Sequence, residues 1–108
     1  MPTILLTRAD SGKMLAAHVG DTLVVRLDEN PATGYRWTIE KHDEEVMETQ
    51  NIVYAPGPGT AVGGGGQRVF SFKARKAGRV VLRLERRRAW EGDTSAAEQF
   101  VIAVNVEP

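Results

Sequence analysis

Period-two alternation of apolar and polar residues, repeated in short runs with no sustained helical period, constrains this chain more than any other feature. "DTLVVRLDE" puts Leu23, Val25 and Leu27 on one face and Val24 and Arg26 on the other. "YRWTIE" sets Tyr35, Trp37 and Ile39 against Arg36, Thr38 and Glu40, and "RVFSFKA" aligns Phe70, Phe72 and Ala74. "GRVVLRLE" aligns Val80, Leu82 and Leu84, and "EQFVIAVNVE" aligns Phe100, Ile102, Val104 and Val106. Successive side chains of a strand point to opposite faces, so each run is a half-buried strand. Two weaker candidates are "TILLTR" and "VMETQNIVYA". The stretch "EKHDEEVMET" admits a helical turn, but its charges favour a solvated connection. Seven or eight short strands punctuated by Gly, Pro and Asp predict an all-β, immunoglobulin-like β-sandwich.

Length and composition narrow the functional classes. At 108 residues the chain is expected to form one domain spanning 1–108, without an interdomain linker. There are no cysteines, so a disulfide framework and thiolate metal sites are excluded. Fourteen basic and fourteen acidic residues cancel, giving no global field to attract nucleic acid or an anionic membrane. No stretch approaches the ~20 apolar residues that span a bilayer. The start, "MPTILLTRADSGK", lacks the basic, apolar and cleavage segments of a signal peptide. The protein is therefore expected in the cytoplasm, or in the periplasm or outside the cell if an export signal has been removed.

Catalytic and metal chemistry find no constellation here. His18 and His42 have no ligand spacing, and Ser11, Ser71 and Ser95 have no nucleophile elbow around them. No cofactor, metal or enzymatic activity is expected. Arg83, Arg86, Arg87 and Arg88 suggest a polyanion site, yet Glu85 and Glu91 intersperse them and point to a solvated face.

What remains is concentrated in three connections: "DENPATGY", "APGPGTAVGGGGQ" and "RRRAWEGDTSAAE". With the strands labelled A to G, these fall at B–C, D–E and F–G, which an immunoglobulin-like sandwich brings to one end. In the first, Pro31 fixes its φ and extends Asn30, while Gly34 permits positive φ, so a stiff tip presents Thr33. In the second, glycines allow close backbone approach and strand-like pairing with an extended groove, with Val62 beside them for an apolar pocket. A phosphate loop fails, because no Lys-Ser/Thr follows and a strand comes next; a passive solvent loop stays open. In the third, the inward face of the strand ends at Leu84, so the strand leaves the core near Arg86 and exposes Trp90 as an aromatic anchor. Trp90 folded back over the sandwich edge is the alternative. Trp37, by its alternation, belongs to the core.

In this order, the three segments resemble the chagasin family, small β-sandwich inhibitors of papain-like cysteine peptidases. That family carries an Asn-Pro-Thr-Thr-Gly turn, a Gly-x-Gly-Gly loop and an Arg-Pro-Trp loop. The matching residues are Asn30, Pro31, Ala32, Thr33 and Gly34, then Gly63, Gly64, Gly65 and Gly66, then Arg88, Ala89 and Trp90, with Tyr35 behind the first turn. The resemblance runs from about Leu6 to Val106. Ala32 and Ala89 depart from the pattern, removing a hydroxyl and a fixed φ, and both bear on affinity. The resemblance implies a reversible, tight-binding, monomeric inhibitor whose partner is a papain-like peptidase. It places Thr33 at the catalytic centre, the glycines along the non-primed subsites and Trp90 on the primed side. The rival readings are an adhesion or carbohydrate-binding module using Trp90 and Tyr54 as platforms, and a weak nucleic-acid binder using the arginines.

Overall fold

Each of the five strong alternating runs becomes a strand in the computed structural model, which describes residues 2–30, 34–56, 65–88 and 98–108. The elements are β1 (Thr3–Thr7), a 3-10 turn (Arg8–Asp10), β2 (Met14–His18), β3 (Thr22–Glu29), β4 (Tyr35–Ile39), β5 (Met47–Pro56), β6 (Gly66–Ala74), β7 (Gly78–Arg88) and β8 (Glu98–Glu107). They form two four-stranded sheets, ordered β1-β3-β6-β5 and β2-β8-β7-β4. β1 runs parallel to β3 and β2 parallel to β8, and every other pairing is antiparallel. The N-terminal segment thus contributes an edge to each sheet. The residues expected inside are inside: Val25, Leu27, Phe70, Phe72, Leu82, Leu84, Phe100, Ile102 and Val104 have no measurable exposure. Burying each such side chain stabilises the fold by roughly 1.5–3 kcal/mol, and the two sheets share that core.

Three expectations need correction. β2 goes unpredicted because "MLAAH" is apolar at four consecutive positions, and no period can be read from it. β7 leaves the apolar core after Leu84 but does not end there: it continues to Arg88, pairing Trp37 with Arg86 and Tyr35 with Arg88. The "EKHDEEVMET" stretch is not simply solvated. Its His42 side chain is buried, edge-on to Phe72 at 5.8 Å, with Nε2 2.8 Å from the Met47 carbonyl oxygen.

Register fixes where the connections leave. In the first sheet Gly66 pairs with both Glu29 and Pro56, so β3 and β5 end where β6 begins. In the second, Tyr35 pairs with Arg88 and Arg86 with Glu98, so β4 and β8 begin where β7 ends. Trp37 of β4 donates from its backbone to Glu29 and from its indole to the Asp28 carbonyl, bringing these two ends together. The 3-10 turn lies at this end too, since Arg8 forms an ion pair with Glu98. The start of β1 and the close of β8 lie at the other end, where Thr3 pairs with Thr22 and Glu107 with His18.

Candidate functional site

The first connection is anchored on both flanks. Gly34, at φ 80°, turns the chain into β4 in a conformation that side chains disfavour. On the other flank, Glu29 follows Leu23, Val25 and Leu27 in the inward parity of β3, and its side chain is 1 % exposed. A carboxylate there must be paired to offset its lost hydration. Its Oε1 accepts the Trp37 backbone N–H at 2.7 Å. Its Oε2 accepts Nη2 and Nε of Arg68 at 2.6 and 3.1 Å. The Arg68 guanidinium also lies 5.4 Å from the centre of the Tyr54 ring, a cation–π contact. Beside them, Asp28 accepts a hydrogen bond from Gln67 at 3.3 Å. Strands β3, β4, β5 and β6 are thereby tied together at the roots of the first two connections.

The third connection has its own scaffold. The Tyr35 ring meets two guanidinium groups, Arg88 at 4.4 Å and Arg86 at 5.3 Å from its centre. Glu98, at the start of β8, pairs with Arg86 at 3.3 Å and with Arg8. Glu85 is buried on the outer side of its sheet, where it accepts from Arg87 at 2.9 Å and Gln99 at 3.2 Å. Glu40 shares a hydrogen bond with it; that bond raises the Glu40 carboxyl above its ordinary range and lowers Glu85. The arginines expected on a solvated face are therefore mostly committed. Arg86, Arg87 and Arg88 are half-buried, and only Arg83 is exposed, 3.4 Å from Glu40.

Between the first and second connections the surface recedes into a hollow of about 600 Å³, bordered by Asp28, Glu29, Asn30, Gly65, Gly66 and Arg86. Asn30, Gly34, Tyr35, Gly65, Gly66 and Arg88 all stand at this one end, as expected. The expectations for Pro31, Ala32, Thr33, Val62, Gly63, Gly64, Ala89 and Trp90 lie outside the described residues. Gly66 turns out to be a strand residue with a packing role. A Cβ there would overlap the Ala55 carbonyl oxygen and stand 2.7 Å from the Tyr54 hydroxyl. Tyr54 itself is half-buried against Arg68 and is no open platform. The scaffold residues Glu29, Arg68, Glu98 and Arg8 escaped the reading of the sequence. For the first two the clue was present: both continue the inward parity of their strands, an acid on β3 and a base on β6. No group of three or more potential metal ligands occurs among the described residues.

The family model described as Chagasin family peptidase inhibitor I42 matches residues 16–104. Chagasin of Trypanosoma cruzi is 30% identical over 101 residues, covering 90% of this chain and 92% of that protein. The crystal structure of a cysteine protease inhibitor from Entamoeba histolytica, EhICP2, superposes with a TM-score of 0.88 at 25% identity, covering 99% of this chain and 97% of that one. PbICP-C, solved in complex with falcipain-2, shares the fold at a TM-score of 0.72 and 17% identity, covering 99% of this chain and 100% of that one. An alternating eight-stranded sandwich, three motif-bearing connections and a family match over most of its length lead to one conclusion: this chain belongs to the chagasin family of peptidase inhibitors.

Proposed function

We propose that this inhibitor blocks the active-site cleft of a papain-like cysteine peptidase with the three connections at one end of the sandwich. Thr33 meets the catalytic centre, the glycine segment pairs along the non-primed subsites, and Trp90 anchors the primed side. The observation that carries this reading is the strand register, which makes one end of the molecule the departure point of all three motif-bearing connections. The complex of PbICP-C with falcipain-2 supports a peptidase as the partner. The scaffold beneath the connections supports it as well. Paired side chains hold the strands that flank the connections, so these roots lose little further freedom on binding. The Thr33-bearing connection also need not offer its own peptide bond at attack geometry, so the inhibitor survives the encounter.

The test is titration of papain hydrolysing a small peptide substrate. Inhibition is expected to reach completion near equimolar inhibitor and to reverse on dilution, and mass spectrometry afterwards is expected to find an intact chain. Absence of inhibition, or stoichiometric clipping within residues 30–35 or 60–66 with recovery of activity, would overturn the reading.

A further inference from the structure

We infer that Glu29 is a positioning residue for inhibition, fixing the first and second loops relative to each other; this rests on the reading that those loops enter the peptidase cleft. Glu29 is the last residue of β3, immediately before Asn30, and it points inward at a site where β3 otherwise places Leu23, Val25 and Leu27. An apolar residue would fill that site without the loss of carboxylate hydration. Buried ion pairs are often matched or exceeded in stability by apolar replacements of similar volume. Stability alone therefore does not account for the pair. Its connectivity does.

One carboxylate reaches both flanks of the first loop and one side of the second. It continues the chain into Asn30 on one side and holds the backbone N–H of Trp37, three residues beyond Gly34, at 2.7 Å. β4 is an edge strand, so this N–H is secured by a residue of the opposite sheet. Through Oε2 the same carboxylate holds Arg68, two residues beyond Gly66, at 2.6 Å. Arg68 in turn rests over Tyr54, two residues before Pro56, on the far flank of the second loop. The four strand ends that carry the two loops thus converge on one charge pair. Two oxygens of a rigid carboxylate set the spacing between loops that a cleft has to meet together.

The test compares wild type with Glu29→Gln and with the double variant Glu29→Gln/Arg68→Met. Glutamine leaves only a neutral, weaker acceptor for the Trp37 N–H, and methionine removes the charge left unpaired by the first substitution. Three quantities are read for each: the inhibition constant against papain, the denaturation midpoint, and residue-resolved amide exchange. A tenfold or larger rise in the inhibition constant is expected in both variants. Amide exchange should speed at Gly34–Trp37 and Gly65–Arg68 while Leu82 and Ile102 keep their protection, and the double variant should retain the wild-type midpoint. Unchanged inhibition by a folded double variant overturns the inference. So does a loss of inhibition that merely tracks a lowered midpoint, or failure of the double variant to fold. Trp90→Ala and Gly65→Val are measured alongside. If those two also inhibit like wild type, the three-loop reading fails, and amide exchange then decides alone whether Glu29 holds the loops. If they weaken inhibition and the Glu29 variants do not, only the present inference falls.

Discussion

Trp37 is 2 % exposed, and its indole N–H is spent on the Asp28 carbonyl at 2.8 Å. Truncating it removes a core aromatic and a link between the sheets, so Trp37→Ala should cost about 3–5 kcal/mol of folding stability, read from denaturant midpoints. Trp90→Ala should do the reverse. It should weaken peptidase binding by about 2 kcal/mol, roughly thirtyfold, with a stability change within about 0.5 kcal/mol. The Glu40–Glu85 pair supplies a third expectation at this scale. The hydrogen bond that protonated Glu40 donates to Glu85 raises Glu40 above its ordinary 4.5, so the folded protein takes up that proton before the unfolded chain does. Stability is thus gained as pH falls from the raised value to about 4.5. Glu85, held below 4.5 chiefly by the same bond, has the opposite sign: its contribution is complete above 4.5 and is lost as pH falls through its folded value. Glu40→Gln, whose amide still donates to Glu85, should abolish the gain just above 4.5 and leave the loss at lower pH, which denaturation midpoints across that range will report.

At the scale of elements, adjacent glycines separate structure from function. A Cβ on Gly65 would make only ordinary contacts, 3.5 Å from the Glu29 carbonyl oxygen and 3.7 Å from the Asn30 Cβ. One on Gly66 would run into the β5 backbone. Gly66→Ala should therefore destabilise the fold by about 1–3 kcal/mol, the cost of overpacking, whereas Gly65→Val should fold normally and lose inhibition. Thermal melts beside inhibition constants distinguish the two. Strands that face the core on one side and water on the other were legible from alternation, which is why β3, β4, β6, β7 and β8 were found. β5 gave a faint pattern because it is a sheet edge, exposed over most of its length, with an irregularity between Thr49 and Asn51 that breaks the parity. The positions of the three connections were legible from glycine, proline and aromatic content. Their scaffold was not. Glu29 meets Arg68 across 39 residues of sequence, and only the register of β3 against β6 brings them together. Glu85 looked solvated by parity, yet Arg87 and Gln99 bury it.

At the scale of the whole molecule, the split N-terminal edge closes the sandwich. β1 runs along β3 over five paired positions and contributes Leu6, 5 % exposed, to the core before the chain crosses to β2. Removing residues 1–7 should cost at least the roughly 2–5 kcal/mol of a truncated core leucine, lowering the denaturation midpoint while the transition stays cooperative. Where the protein is still folded, the inhibition constant should rise only modestly, because Thr3 and Leu5 lie away from the roots of the loops, whereas Thr7 adjoins the turn that carries Arg8 to Glu98. Thr3 and Glu107, in fact, lie at the end of the molecule away from the roots of the three motif-bearing connections: Thr3 beside Thr22, and Glu107 beside His18. A bead, a membrane tether or a second protein attached at either terminus would leave the working end facing outward. Two copies joined tail to tail by a short flexible linker would open in opposite directions, and one such molecule would hold two peptidases at once.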